Sequence, residues 1–346
     1  MEKKLPPTPG PSRRKFLAGG AVAAAGLNLV APRTVFAAEA NSKVRIGFVG
    51  CGGRGSFVAG IIAEDGGFEI TAAADYFQDR ADTFGEAFGV GADARFTGLG
   101  AIDAMLASGL VDAVAVHSPP YFHPEHVAKS VDAGKHVLVA KPIAVDVPGV
   151  RSVEESARRA AGRGLSVMVD VQSRGDEYFR EAIRRVKEDG ALGSLCYGRC
   201  VYEFGALAPQ AENDGKPETK LRNWVFDIAY SGDIITEQNI HTIDVASWIM
   251  GQAPVSAYGT GGQKVRDYGN CWDTFSVTFV YPNNIGVAFS SRQFSAYNSK
   301  PDGIRNRMFG DKGVLETAYG GRVLIRSDQE QNYYAGGESP QIYKDG

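Results

Sequence analysis

The first part of the chain alternates short apolar runs with segments of helical periodicity. An apolar run over residues 44–49 precedes a helical pattern over 56–63, and a second apolar run over 68–74 ends in Asp75. The alternation continues with predicted strands at 111–117, 136–140 and 165–171 and predicted helices at 80–88, 102–108, 126–133, 150–163 and 177–188. Short buried strands that alternate with helices predict a parallel, doubly wound α/β sheet.

From residue 195 onward, apolar and polar positions alternate, which is typical of strands with one buried face. Strands are predicted at 195–204, 274–281, 285–293, 314–317 and 323–326. A turn over residues 282–284 links two of them, so this part is expected to form a largely antiparallel, open-faced sheet. We expect the open face to join a homodimer or homotetramer, although a face covered by loops would have the same pattern.

Between the first two of these strands, residues 231–251 contain a helical stripe of chemically active side chains. Glu237, His241, Asp244 and Trp248 recur at the spacing of one helix face, and the segment has no Lys or Arg. A solvated face normally carries both signs of charge, so this one is expected to line a cleft. A packing role for His241 is the alternative. Metal binding is not expected, because the spacing matches no known zinc pattern.

The turn after the first strand has the features of a phosphate site. Gly50, Gly52 and Gly55 have GxGxxG spacing, which permits a tight turn, close approach to a pyrophosphate and close helix packing. Asp75 follows Gly55 by 20 residues, where a carboxylate accepts from ribose hydroxyls and repels a 2′-phosphate. We therefore predict a dinucleotide site that prefers NAD to NADP, with Arg54 on the phosphate or the adenine. The alternative for Asp75 is a turn carboxylate that caps the next helix.

The carboxyl ends of parallel strands meet at one edge of the sheet, where the ligands of such folds bind. Gly50, Asp75, Ser118 and Lys141 all fall at predicted strand ends. The predicted cofactor-binding residues are Gly50, Gly52, Arg54, Gly55, Asp75, Ser118, Pro119, His123 and Lys141.

Composition narrows the class of protein. The 346 residues are 44% hydrophobic and 22% charged, as in soluble globular proteins, and the net charge of −3 argues against a nucleic-acid partner. The cysteines form no Cys-x-x-Cys or Cys/His cluster, so we expect small buried residues and no metal site at Cys51, Cys196, Cys200 and Cys271.

The N-terminus has the layout of an export signal. Arg13 and Arg14 precede an Ala- and Gly-rich run over residues 18–31, and small residues follow at 37, 38 and 40. The paired arginines resemble a twin-arginine signal, whose route carries folded proteins. We expect a periplasmic or otherwise exported protein without stable membrane insertion, and an uncleaved membrane anchor is the alternative. The predicted domains are the signal at 1–40, an NAD-binding domain at 41–149 and a substrate-binding and oligomerisation domain at 150–346.

Four segments together resemble the glucose-fructose oxidoreductase, inositol dehydrogenase and rhizopine-catabolism family of NAD(P)-dependent oxidoreductases. They read IGFVGCGGRG, DAVAVHSPPYFHPEHV, GKHVLVAKP and IHTIDVASWIMG. The resemblance implies a Rossmann domain followed by an α/β domain with an open sheet. It also implies that Lys141 polarises the substrate oxygen beside the nicotinamide, that His241 transfers the proton, and that Glu237 orients or shares that role.

The chain departs from the family pattern at three points. Ala140 stands where relatives usually have Glu, and Asn239 stands where they usually have Gly. The chain also ends at Gly346 soon after its last strands, whereas relatives often return a final helix to the Rossmann domain.

The resemblance implies an NAD(P)-dependent dehydrogenase that oxidises a secondary hydroxyl of a sugar or polyol, with Lys141 and His241 in acid/base roles. Because an exported enzyme lacks a ready supply of free NAD, one alternative is a glycosidase or lyase that holds NAD tightly and recycles it in each turnover. A non-catalytic sensor of nucleotide and sugar is the alternative from another class. The predicted substrate-binding residues are Arg174, Arg222, Trp224 and Asp244, with Asn223 and Tyr121 as further candidates.

Overall fold

Two β-sheets organise the chain in the computed structural model, which describes residues 43–295, 303–327 and 331–336. The predicted export signal at residues 1–40 lies outside the described residues. Within the described ranges, no helix is both long enough and apolar enough to cross a membrane.

The first sheet confirms the predicted parallel, doubly wound arrangement. Its strand order is β3-β2-β1-β4-β5-β6, and each neighbouring pair is parallel. The strands are β1 (Val44–Val49), β2 (Phe68–Asp75), β3 (Arg95–Thr97), β4 (Ala113–Val116), β5 (His136–Ala140) and β6 (Val167–Asp170). The connecting helices are α1 (Gly53–Asp65), α2 (Gln78–Phe88), α3 (Ala101–Ala107), α4 (His123–Asp132) and α5 (Val147–Gly162).

Alternation along β1 supplies the apolar layers on both faces of this sheet. Ile46 and Phe48 join one buried cluster, which includes Phe84 of α2, and Val49 joins the other, which includes Val127 of α4. Burial on both faces explains why these strands are nearly continuous apolar runs in the sequence. The sheet continues beyond residue 149 to Asp170, so we place the end of the first domain after β6.

The second sheet is largely antiparallel, as predicted. Its order is β14-β13-β12-β11-β7-β10-β9-β8. Among the described strands of this second sheet, only β7 and β10 pair in parallel. The strands are β7 (Leu195–Phe204), β8 (Ser256–Gly262), β9 (Thr274–Tyr281), β10 (Ile285–Gln293), β11 (Ile304–Gly310), β12 (Gly313–Ala318), β13 (Arg322–Ser327) and β14 (Tyr333–Ala335).

The remaining helices precede this sheet or lie between β7 and β8. They are α6 (Gln172–Gly175), α7 (Glu177–Lys187), α8 (Pro217–Arg222), α9 (Ile228–Ser231), α10 (Asp233–Glu237) and α11 (Ile240–Met250).

One face of the second sheet is covered by α7 and α11, and the other is left open by the residues that the structure describes. Phe179 and Ile249 pack with Met308 and other sheet residues in one buried cluster. On the opposite face, the rings of Tyr197 and Phe309 stack at 5.0 Å, and Tyr197 is 44% exposed. The sheet is therefore amphipathic, with aromatic side chains on its open face.

Two local predictions are wrong. Cys51, Cys200 and Cys271 are buried free thiols, but Cys196 is exposed. Gly310 pairs with Leu195 while its neighbour Phe309 pairs with Tyr197, so Cys196 is the extra residue of a bulge. The stripe over residues 237–248 is divided between two helices, because α10 ends at Glu237 and α11 begins at Ile240.

Candidate active site

The glycine turn brings three backbone segments into contact. Gly50 has φ +93°, and a Cβ on it would lie 2.4 Å from the backbone of His117 after β4. A Cβ on Gly55 would lie 2.1 Å from the carbonyl oxygen of Gly50. Both positions therefore require glycine so that β1, α1 and β4 can approach each other closely.

Gly52 plays a different part, because its missing side chain leaves open space. The nearest atom to a Cβ added there would be a guanidinium nitrogen of Arg80 at 3.8 Å. Helix α1 begins at the next residue, Gly53, and no side-chain cap satisfies its first N–H groups within the described ranges. Open space in front of an uncapped helix N-terminus suits an anion such as a pyrophosphate.

A cleft of about 490 Å³ extends from this turn along the carboxyl ends of the strands. Asp75 lines it and is 7% exposed. Its two carboxylate oxygens accept from the backbone N–H groups of Cys51 at 2.8 Å and Phe77 at 2.9 Å. Each oxygen keeps a further lone pair, so the anchored carboxylate can still accept from a ribose hydroxyl. Asp75 is the last residue of β2, and helix α2 begins only at Gln78, so Asp75 is not the helix cap.

The loop after β4 forms the next part of the cleft. Ser118 and Pro119 line it, as expected of cofactor-binding residues. His123 lies behind this loop, 1% exposed, and its ring bridges the backbone oxygens of Ser118 at 2.6 Å and Pro142 at 2.8 Å. Burial lowers the pKa of His123 to about 4 despite these carbonyl contacts. The structure thus gives His123 a positioning role between two loops.

Arg54 extends from α1 toward the end of β6. Its guanidinium forms an ion pair with Asp170 and lies 5.3 Å from the ring centroid of Phe57. With its amide oriented to suit both neighbours, Gln172 accepts from Arg54 at 2.7 and 2.8 Å and donates to Tyr319. Asp170 stands opposite Ala140 in the parallel pairing of β5 and β6, so a carboxylate ends the strand beside Ala140.

Lys141 and Glu237 join the two parts of the molecule. Lys141 follows β5, and its ammonium donates to the Glu237 carboxylate at 2.8 Å and also to the Glu237 backbone oxygen. The two side chains are only 18% and 13% exposed. Two of the three ammonium protons are thereby engaged, and the third remains for a substrate oxygen.

His241 follows Glu237 by four residues and lies in the first turn of α11, close enough to Lys141 for the charges to interact. Burial, and then the positive charges of Lys141 and Arg54, lower the pKa of His241 to about 3. Its ring lies 4.9 Å from the Tyr319 ring, edge-on, and 6.5 Å from the Tyr202 ring. The buried Nδ1 has no hydrogen-bond partner among the residues that the structure describes. His241 is therefore a neutral imidazole near the cationic lysine.

The predicted substrate-binding residues fall into two groups. Arg174 donates to both carboxylate oxygens of Asp244, at 2.8 and 2.9 Å, and its guanidinium lies 5.1 Å from the Trp248 ring. Arg222 instead donates to both oxygens of Asp79, at 3.1 and 2.8 Å. Asp244 lies on α11 with His241, and Arg174 reaches it from α6, whereas Arg222 contacts the first domain.

The other predicted substrate contacts also have neighbours away from Lys141. Trp224 lines the cleft with the glycine turn. The Asn223 side chain accepts from the backbone N–H groups of Gln210 at 2.7 Å and Ala211 at 3.1 Å, so it orders a loop. Tyr121 packs edge-on against Tyr230 at 5.8 Å.

Sequence reasoning missed several residues of the cleft and its surroundings. Tyr319 and Gln172 belong to no motif, and only the fold brings them to Arg54 and His241. Arg80 lines the cleft and lies five residues after Asp75. Its closeness in sequence to the predicted ribose acceptor could have identified it as a cleft residue. No group of three or more His, Cys, Asp or Glu within the described part of the chain is arranged to hold a metal ion.

Comparison with known proteins identifies the family to which this chain is similar. An oxidoreductase family model with an NAD-binding Rossmann fold, GFO/IDH/MocA, matches residues 44–171, and the model of the GFO/IDH/MocA C-terminal domain matches residues 180–316. Inositol 2-dehydrogenase of Rhizobium meliloti is 25% identical over 79% of this chain and 74% of its own length. Inositol 2-dehydrogenase 3 of Saccharopolyspora erythraea is 31% identical over 62% of this chain and 56% of its own length.

Solved structures show the same fold. Aldose-aldose oxidoreductase from Caulobacter crescentus, complexed with glycerol, matches with a TM-score of 0.68 at 21% identity, over 86% of this chain and 85% of that one. The WlbA dehydrogenase from Bordetella pertussis, in complex with NADH and UDP-GlcNAcA, matches with a TM-score of 0.67 at 20% identity. The match covers 88% of this chain and 86% of that one. The chain belongs to the GFO/IDH/MocA family of oxidoreductases, whose N-terminal domain is an NAD-binding Rossmann fold.

Proposed function

We propose that the protein is an NAD-dependent dehydrogenase that oxidises a secondary hydroxyl of a sugar or polyol. The observation that carries the proposal is the Lys141 ammonium, held by Glu237 at 2.8 Å and placed where its charge lowers the pKa of His241. A cationic donor and a neutral imidazole are the two groups that alcohol oxidation needs. Neither lines the cleft, but Arg54 does, and its charge contributes to the lowered pKa of His241. The relatives named inositol 2-dehydrogenases support a polyhydroxylated substrate.

The cleft residues fit a nicotinamide dinucleotide, which supplies the hydride acceptor when bound. Gly52 and the start of α1 would hold the pyrophosphate, and Asp75 would accept from the ribose hydroxyls. The Asp75 carboxylate disfavours a 2′-phosphate, so we propose NAD as the cofactor. A ratio of dissociation constants for NADPH and NADH below one would contradict this preference.

The side chains divide the chemistry of the hydroxyl group between them. The neutral His241 accepts the hydroxyl proton as the carbon loses its hydride. The free N–H of Lys141 donates to the substrate oxygen and stabilises the negative charge that develops on it. Glu237 holds the ammonium in place through two hydrogen bonds and so acts as a positioning residue.

A panel of sugars, polyols and glycosides with purified protein and NAD tests this function. We expect NADH and the ketone product to form in equal amounts, and a Lys141→Ala variant to bind NADH but lose turnover. Absence of dinucleotide binding would overturn the proposal. Substrate turnover without net NADH would instead identify a glycosidase or lyase that recycles NAD. An unaffected biological function in Lys141→Ala would indicate a non-catalytic sensor.

We further propose that residues 1–40 direct export by the twin-arginine route, on the evidence of Arg13, Arg14 and the small-residue segment that follows. The test is the cellular location of an Arg13→Lys, Arg14→Lys double variant. Retention of precursor in the cytoplasm is expected. Unchanged export, or fractionation of the wild-type protein with membranes, would overturn the proposal.

We also propose that the open face of the second sheet joins two or four copies of the chain. Tyr197 and Phe309, stacked on that face, would be covered by the partner. A Tyr197→Arg variant is expected to elute as a smaller species in size-exclusion chromatography. A wild-type monomer would refute the proposal.

A further inference from the structure

The dinucleotide cleft has a wall that does not come from the Rossmann domain. Gln210, Leu221 and Trp224 lie in the long connection between β7 and β8, yet they line the same cleft as Gly52 and Asp75. We call residues 207–224 the capping segment. Its side chains meet the cleft near Asp75, Tyr76, Phe77 and Arg80.

The capping segment is tied to the loop that follows Asp75. Arg222 donates to both carboxylate oxygens of Asp79, at 3.1 and 2.8 Å, and its guanidinium lies 3.9 Å from the centroid of the Phe77 ring. Arg80 donates to the Gln210 amide oxygen at 2.6 Å. These contacts all involve residues within five positions of Asp75, and the bidentate and stacked geometry of Arg222 is specific to arginine.

Internal hydrogen bonds keep the capping segment ordered. Asn223 accepts from the N–H groups of Gln210 and Ala211 and donates to the Ala211 oxygen at 2.7 Å, which closes the loop on itself. The Tyr268 hydroxyl donates to the backbone oxygen of Leu207 and ties the start of the segment to the second domain. The wall is therefore a built structure and not a loose loop resting on the cleft.

The position of the wall identifies the part of the ligand that it contacts. In a βαβ unit, the carboxylate at the end of the second strand marks the ribose of the adenosine half. Trp224 and Leu221 supply apolar area to the cleft, and an indole suits contact with a purine or ribose face. Phosphate binding alone would need no such wall.

We infer that the capping segment forms an adenosine subsite, in which Trp224 and Gln210 contact the adenosine half of the dinucleotide and Arg222 locks the segment to Asp79. This inference rests on the proposed function, because it presupposes a dinucleotide in the cleft. It reassigns Arg222 and Trp224 from sugar binding to cofactor retention. Release of the cofactor then requires the Arg222–Asp79 and Arg80–Gln210 contacts to open.

The test measures binding and release, not turnover, with NADH and ADP-ribose as probes. We expect Trp224→Ala and Arg222→Ala to accelerate NADH dissociation about tenfold. Both variants should also weaken the binding of ADP-ribose to a similar extent. Binding of nicotinamide mononucleotide should stay within twofold of the wild-type value. Arg158→Ala is the control, because Arg158 pairs with Glu154 on the exposed face of α5, away from the capping segment in the sequence.

The outcomes separate this inference from the proposed function. If the wild-type protein binds neither NADH nor ADP-ribose, the dinucleotide site itself is refuted. If it binds both but the variants release NADH within twofold of the wild-type rate, the adenosine subsite is refuted and the dehydrogenase proposal stands. Gln210→Ala, at an exposed position, repeats the test if a larger truncation prevents folding.

Discussion

The ammonium of Lys141 lies 2.8 Å from the carboxylate of Glu237, although 96 residues separate them in the chain. Lys141 follows the fifth strand of one sheet, and Glu237 ends a short helix that packs beside the other. Neither domain alone contains both charges. The contact therefore assembles the proposed proton-transfer site only when both domains are folded.

Substitution of Lys141 should separate chemistry from cofactor binding. We expect Lys141→Ala to lower kcat by on the order of 10²–10³, because the developing oxyanion loses its charged donor. The NADH dissociation constant, measured by fluorescence titration, should change less than threefold. Lys312→Ala, an exposed lysine in the turn before β12, is the matched control. A kcat within threefold of wild type would remove Lys141 from the mechanism.

His241 should stay neutral across the physiological range of pH. Burial and the charge of Lys141 lower its pKa to about 3, so the free enzyme needs no deprotonation of His241 between pH 5 and 8. Comparison of imidazole NMR spectra of wild type and His241→Gln assigns the His241 resonance, with the exposed His136 as a reference. We expect no His241 titration over this interval. A midpoint near 6.5 would contradict the burial and charge described here.

The glycines of the turn should differ sharply in their response to alanine. Gly52→Ala places its Cβ in open space, so we expect a normally folded protein whose NADH affinity falls tenfold or more. Gly55→Ala forces a contact with the Gly50 oxygen and should lower the free energy of unfolding by about 1–3 kcal/mol.

Gly60→Ala, on the same helix with nothing within 4 Å of its added Cβ, is the control for both measurements. Thermal melting checks the fold, and fluorescence titration checks the affinity. Full NADH affinity in Gly52→Ala would refute the pyrophosphate position.

The Arg174–Asp244 pair should contribute to the binding of substrate and not to the binding of cofactor. Arg174 is 46% exposed and stacks over Trp248 on the helix that carries His241. We expect Arg174→Ala to raise KM about tenfold while the NADH dissociation constant stays constant. Arg184→Ala, which removes a comparable arginine from α7, should leave both constants unchanged. An unchanged KM in Arg174→Ala would leave the pair with a structural role only.

Acid should destabilise the first domain through its buried histidines. Burial lowers the pKa of His117, His123 and His126 to about 4, whereas an unfolded histidine titrates near 6.5. Between these values the unfolded chain binds more protons, so the free energy of unfolding decreases as pH falls. The loss at pH 5 is on the order of 1–2 kcal/mol per histidine.

Thermal melting between pH 7.5 and 5 measures this loss. His126→Asn can keep the contact to the Ser118 hydroxyl, at 2.9 Å in the wild type, without a titrating ring. We expect a smaller drop in melting temperature in this variant than in wild type or in His136→Asn. Equal drops in melting temperature in all three proteins would contradict a contribution of His126 to the loss of stability in acid.

The sheet and the cofactor turn were predictable because each depends on short-range patterns. The apolar runs at β1 and β5 and the spacing of Gly50, Gly52 and Gly55 are visible in single segments of the sequence. The division of the 231–251 region into two helices was not predictable from a period of 3.6. Both fragments continue the same stripe across the break at Gln238 and Asn239.

Side-chain partners were the least predictable part of the site. The sequence showed that Arg222 and Trp224 belong to a polar, aromatic loop, but it did not show which end of the cleft that loop reaches. Their positions depend on contacts with Phe77 and Asp79, about 145 residues earlier in the chain. Tyr319 reaches His241 in the same way, because β12 pairs with β11 and β11 pairs with β7, a strand distant in sequence.

The parallel pairing of β7 with β10 has a consequence for how this protein can diversify. Strands that run the same way cannot be joined by a hairpin, so the chain leaves the sheet after Phe204 and returns at Ser256 on the far side of β10 and β9. That single excursion carries Trp224, Glu237 and His241. The exposed connections within it can vary while α11, whose Ile249 packs on the sheet, keeps its place, so the proposed substrate site can change on the same scaffold.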